Sequence, residues 1–138
     1  MVEIEISYDG RLRCRAVHGP SGTTLSTDAP KDNMGQGESF SPTDLVATAL
    51  GTCMLTIMGI VAQRHSIELE GATVAVGKEM VTSPVRRIGR LTVDIRVPRA
   101  VTAEQRSLLE NAARTCPVHK SLHPDIETPI AFHWATTP

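Results

Sequence analysis

From Leu45 to Ala62 the chain carries no charged side chain, and within that run, in TALGTCMLTIM (residues 48–58), stands a single cysteine, Cys53. A stretch of this kind constrains the fold more than any other feature. About 17–25 apolar residues cross a bilayer as a helix, so the run is either a short membrane span or a helix enclosed by protein. Gly51, Thr52, Thr56 and Gly59 interrupt it, and no Trp or Tyr marks either edge. Both features favour the enclosed helix. Its start is written just upstream: Ser41 suits the N-cap, Pro42 the first helical position, and Asp44 stands three residues after the cap. Together they form a weak capping box. The helix is expected to run to about His65, with apolar residues on every side. A free cysteine inside such a helix is either a small hydrophobe in a core or a protected nucleophile.

The flanking segments have the period of strands. Val2, Ile4, Ile6 and Tyr8 alternate with Glu3, Glu5 and Ser7, which predicts a strand with one buried face. Asp9-Gly10 suits a tight turn, and in the returning run RLRCRAV the residues Leu12, Cys14 and Ala16 fall opposite Arg11, Arg13 and Arg15. Cys14 is therefore expected to face the core. A third short strand around Thr23 to Thr27 precedes the Gly-, Asp- and Pro-rich loop DAPKDNMGQGESFSP. After the long helix, Val74 and Val76, then Leu91, Val93, Ile95 and Val97, predict a hairpin. Thr102 and Gln105 form a second capping box ahead of a helix ending near Thr115, and Ile130, Phe132 and Trp134 alternate in a last strand. This order predicts an α+β fold with a mainly antiparallel sheet, in one domain of 138 residues.

Charge and composition narrow the partners. A formal net charge of -1 offers no single-sign field for nucleic acid or an anionic membrane, and 3% aromatic residues supply no stacking platform for single strands. The acidic start MVEIEISYDG has neither the basic nor the apolar region of a signal peptide, so a cytosolic protein is expected. Three cysteines in such a compartment point to reactive or buried thiols rather than a disulfide framework. Among them Cys116 combines an N-cap position with Pro117 at the next, which aims its sulfur at free backbone N–H groups and favours thiolate. His119 and His123 follow at Cys-x2-His-x3-His spacing, a rival metal-binding pattern that lacks an evident fourth ligand.

SPTDLVATALGTC (41–53) followed by TCPVHKSL (115–122) resembles the OsmC/Ohr family, the osmotically inducible and organic hydroperoxide resistance group of thiol peroxidases. The likeness covers nearly the whole chain. It implies an OsmC-like fold around a long central helix, assembled as an intertwined homodimer with two active sites. It also implies a two-cysteine peroxidase that needs no cofactor. Cys53 would attack the terminal oxygen of an organic hydroperoxide and become a sulfenic acid, Cys116 would resolve it as a disulfide, and an external dithiol such as a lipoyl protein or a thioredoxin would return the electrons. An apolar, water-poor pocket would prolong the sulfenic acid, and the N-cap would help keep Cys116 ionised.

The chain departs from the best-known branch at one position. There a glutamate directly follows the helix-opening proline and works with an arginine to activate the first cysteine; here Thr43 stands in its place and the acid comes one residue later, as Asp44. A less characterised branch shares that offset. Asp44 is therefore a candidate catalytic residue as well as a cap, and Arg11, Arg13 and Arg15 are candidates for the arginine. The missing glutamate sustains an alternative, a non-catalytic dimer of the same fold that holds an apolar small molecule.

Overall fold

The computed structural model describes residues 1–136. The chain forms two compact units that divide within the long helix, Met1–Val46 and Ala47 onward.

The first unit is an antiparallel sheet of β1 (Ile4–Gly10), β2 (Arg13–His18) and β3 (Thr24–Asp28), in that order. The turn between β1 and β2 lies two residues later than the Asp9-Gly10 pair suggested. Arg11 and Leu12 occupy its centre with φ of 57° and 62°, and Gly10 pairs with Arg13 across a register shift. Gly10, with φ of 85°, absorbs that irregularity, while the Leu12 N–H donates to the Tyr8 hydroxyl at 3.2 Å. Cross-strand pairs share a face. The pairings Ile6 with Ala16, Ala16 with Leu25, Tyr8 with Cys14 and Cys14 with Thr27 therefore gather the apolar residues on one side. Contrary to expectation, this side is not covered within the chain: Ile4, Ile6 and Tyr8 are 57%, 65% and 66% exposed, and Cys14 is half-buried.

The loop after β3 contains one 3-10 turn, Lys31–Asn33, and folds back on the strand. The Asp28 N–H donates to the Phe40 carbonyl at 3.1 Å, the Glu38 N–H to Asp28 Oδ2 at 3.0 Å, and the Ser39 hydroxyl to the Ser26 carbonyl at 2.8 Å. These bonds deliver Ser41 to the start of α1 (Pro42–Arg64). The capping box is present: the Asp44 N–H donates to Ser41 Oγ at 3.1 Å, and the Ser41 N–H donates to Asp44 Oδ2 at 2.9 Å.

In the second unit, β4 (Thr73–Val81) pairs antiparallel with β5 (Arg87–Val97), and β6 (Ile130–Trp134) pairs parallel with β5. The parallel pairing needs a crossover, which α2 (Ala103–Arg114) and the single-turn α3 (Pro117–Ser121) supply. Leu91, Val93, Ile95 and Val97 line one face of β5 and are almost completely buried. The long helix presents a stripe to this unit, Ala47, Leu50, Gly51, Met54, Met58 and Ala62, recurring at helical spacing. The helix comes close to β4 at Gly51, where a Cβ would lie 2.9 Å from a methyl of Val76 and 3.2 Å from one of Val74. Outside that stripe Thr48, Thr52, Thr56 and Ile60 are exposed, so α1 is packed on one side by its own chain. By length and composition alone it is also a helix that could cross a membrane. In the same unit α2 lies beside β6: Trp134 Nε1–H donates to Glu110 Oε1 at 2.9 Å, and the Arg106 and Arg114 guanidinium groups stack over Trp134 and Phe132.

Candidate active site

Two thiols far apart in sequence meet in the second unit. Cys53 lies in the middle of α1, half-buried, and Cys116 caps α3 with no exposed surface. Both are free thiols, and they lie near enough to interact, Cys53 pushing the Cys116 pKa up. Local sequence fixes the second position. The Thr115 N–H closes α2 by donating to the Ala112 carbonyl, the Cys116 N–H donates to that of Ala113, and Pro117 opens the next helix, which leaves Cys116 as the hinge between them.

The electrostatics of Cys116 differ from the sequence expectation. Its Sγ does accept the His119 N–H, at 3.4 Å, as an N-cap should. Burial nevertheless pushes the thiol up from its ordinary value of 9.0, the neighbouring Cys53 adds to the rise, and the N–H groups of His119 and Val118 only oppose it. A helix of one turn offers little dipole, and a sulfur removed from water loses more hydration than those donors return. Cys116 therefore waits as a neutral thiol.

The remaining candidates are engaged by neighbours of their own or stand at the surface. Asp44 holds the Ser41 N–H in the capping box, and Thr43 Oγ1 lies 3.2 Å from Ser41 Oγ. Arg13 is bound by Glu38 at 2.7 Å and by Asp28 at 3.5 Å, which raises its already high pKa, the hydrogen bond with Glu38 first. It thereby neutralises Asp28, which is 1% exposed. Arg11 sits in the β1–β2 turn and Arg15 on β2, exposed. Cys116, His119 and His123 do not converge as metal ligands. His119 Nε2 is 2.8 Å from Thr128 Oγ1, and the exposed His123 accepts the Asp125 N–H at Nδ1. Among the described residues no group of three His, Cys, Asp or Glu side chains could hold a metal ion.

Sequence reading missed the surroundings of His119, whose Nδ1 is buried without a hydrogen-bond partner among the described residues. The available signal was its place three residues after an N-capping cysteine, which returns it to the same side of the helix.

Comparison with known proteins places the chain in a family. Residues 35–130 match the family model described as OsmC-like protein. Among solved structures, the chain is similar to a candidate osmotic stress induced and detoxification response protein from Psychrobacter arcticus, with 43% identity, 96% of each chain covered and a TM-score of 0.91. An organic hydroperoxide resistance protein OsmC from Legionella pneumophila shares the fold at 16% identity, 96% coverage of each chain and a TM-score of 0.77. So does an organic hydroperoxide resistance protein from Elizabethkingia anophelis, at 18% identity, covering 96% of this chain and 95% of that one, with a TM-score of 0.74. No curated protein sequence matches the chain. The matched segment takes in both cysteines, and the chain belongs to the OsmC-like family.

Proposed function

We propose that this protein is a cysteine-based peroxidase that reduces organic hydroperoxides, acting as a single cytosolic domain in a homodimer and drawing electrons from an external dithiol. The observation that carries the reading is the contact between the Cys53 and Cys116 thiols. Cys53 as thiolate attacks the terminal oxygen of the hydroperoxide; the O–O bond breaks, an alcohol leaves, and Cys53 becomes a sulfenic acid. Cys116 then attacks the Cys53 sulfur, the S–O bond breaks, water leaves, and a disulfide joins α1 to the start of α3. The dithiol returns two electrons by exchange through a mixed disulfide.

The electrostatics give the pair an order. Two adjacent thiols do not both ionise at low cost, and burial biases Cys116 toward the neutral form, so Cys53 is the one free to act as nucleophile. Once Cys53 is a sulfenic acid, its charge no longer adds to the rise, and burial remains the main cause that keeps Cys116 a neutral thiol. Family membership supports the substrate class, and the apolar flank of α1 suits alkyl hydroperoxides better than hydrogen peroxide. Asp44 is proposed to add to activation beyond its cap.

Turnover with cumene hydroperoxide, tert-butyl hydroperoxide and hydrogen peroxide in the presence of dihydrolipoamide tests the reading. Consumption of the two organic peroxides ahead of hydrogen peroxide is expected. Absence of turnover together with saturable binding of an apolar ligand would favour the non-catalytic dimer that the residue at Thr43 keeps in view.

A further inference from the structure

A role for His119 rests on the peroxidase reading, because the second step of that cycle leaves a proton to be moved. The attacking species is a thiolate, and Cys116 is a buried thiol with no bulk water at its surface. The residue placed to help is His119. Its main-chain N–H already touches the Cys116 sulfur, at 3.4 Å, so the imidazole springs from the same turn that the sulfur caps. The ring is held from its far side, with Nε2 2.8 Å from Thr128 Oγ1, just ahead of β6. Its other nitrogen, Nδ1, is sealed from solvent and satisfied by nothing among the described residues. A buried imidazole nitrogen left without a partner calls for an explanation. When the Thr128 hydroxyl accepts from Nε2–H, Nδ1 carries a bare lone pair and is a base.

We propose that His119 carries the proton of the resolving step, taking it from Cys116 Sγ and delivering it to the oxygen that leaves Cys53. The S–H bond of Cys116 breaks toward Nδ1, directly or through one water, and its electron pair forms the S–S bond. The S–O bond of Cys53 breaks, its oxygen takes that electron pair and then the proton, and water departs. His119 ends as it began, and the oxidant is the hydroperoxide already consumed. From α1 Cys53 interacts with Cys116; beside Thr128 in sequence Glu127 is engaged by Arg90 at 2.6 Å, and His123, one turn beyond His119, accepts the Asp125 N–H at Nδ1.

The test separates the two steps by mixing reduced full-length protein with one equivalent of cumene hydroperoxide. Sulfenic acid at Cys53 is trapped with dimedone, and disulfide is counted after acid quench. In His119→Gln, whose amide can still bond Thr128, sulfenic acid should form within about twofold of the wild-type rate, while its conversion to disulfide should slow roughly 100-fold. Raising the pH should restore that rate progressively, because a growing fraction of Cys116 then ionises without a base, which a packing defect would not reproduce. Thr128→Val, which frees the ring, should slow the same conversion about tenfold and serves if His119→Gln does not fold. Conversion in His119→Gln within about threefold of wild type, or a slowing that high pH leaves in place, overturns the proposal. Absence of trapped Cys53 sulfenic acid in the wild type would instead remove the peroxidase reading beneath it.

Discussion

At the scale of single residues, the three cysteines should separate cleanly. Cys53→Ser is expected to abolish peroxide consumption, whereas Cys14→Ser should keep it and cost around 1 kcal/mol for a half-buried site between Tyr8 and Thr27. Equal loss of turnover in both variants would contradict the assignment. Cys116 adds a pH dependence whose sign follows from its burial. A folded-state pKa above the unfolded one means that stability is fully present below the ordinary thiol range and is lost as pH rises toward the raised value. Thermal melts of reduced protein should therefore fall more steeply between about pH 8 and pH 10 than those of Cys116→Ser, and parallel curves would argue against a buried neutral thiol. Asp44→Asn should lower stability by no more than ~1 kcal/mol, since asparagine also accepts the capping bond. A large loss of rate at an unchanged melting point is what the proposed role in activation requires.

At the scale of elements, the long helix illustrates how a sequence pattern and a structure divide the work. The capping box at Ser41 and Asp44 and the end of α1 at Arg64 were legible because caps and uncharged runs are local signals. The choice of which flank packs was not, because apolar residues lie all round and only the tertiary partner decides. Gly51 marks the packed flank through its closeness to Val74 and Val76, whereas a Cβ at Gly59 would meet nothing within 4 Å. Gly51→Ala should accordingly destabilise the protein by about 1 kcal/mol or more, since valine methyls on a strand yield little. Gly59→Ala should stabilise it by up to about 1 kcal/mol through helix propensity. Paired thermal melts check both signs. The β1–β2 turn shows the opposite failing of local signals: Asp9-Gly10 reads as a turn, yet the positive φ values fall on Arg11 and Leu12 because the register shift at Gly10 moves the reversal onward. Likewise the parallel entry of β6 beside β5 lay beyond period-2 alternation, which is the same for either direction.

At the scale of the whole molecule, the apolar face of the first sheet is the largest mismatch between sequence and single chain. Alternation at Ile4, Ile6 and Tyr8 signalled a buried face, and the chain leaves it exposed. The proposed homodimer resolves this, because a second copy would cover what the first cannot. Ile6→Lys should convert a dimer to a monomer or to aggregate in light-scattering measurements, and a native monomer at micromolar concentration would contradict that assembly. Of the candidate site, the two cysteines were readable, but the neutral state of Cys116 was not, because desolvation belongs to the folded chain and leaves no trace in spacing. The central claim is that Cys53 and Cys116 form one redox unit, and its most direct test is non-reducing peptide mapping after reduced protein meets one equivalent of an organic hydroperoxide. The account predicts an intrachain Cys53–Cys116 disulfide with Cys14 left free; a disulfide that includes Cys14, or both Cys53 and Cys116 remaining as unmodified thiols, would contradict it.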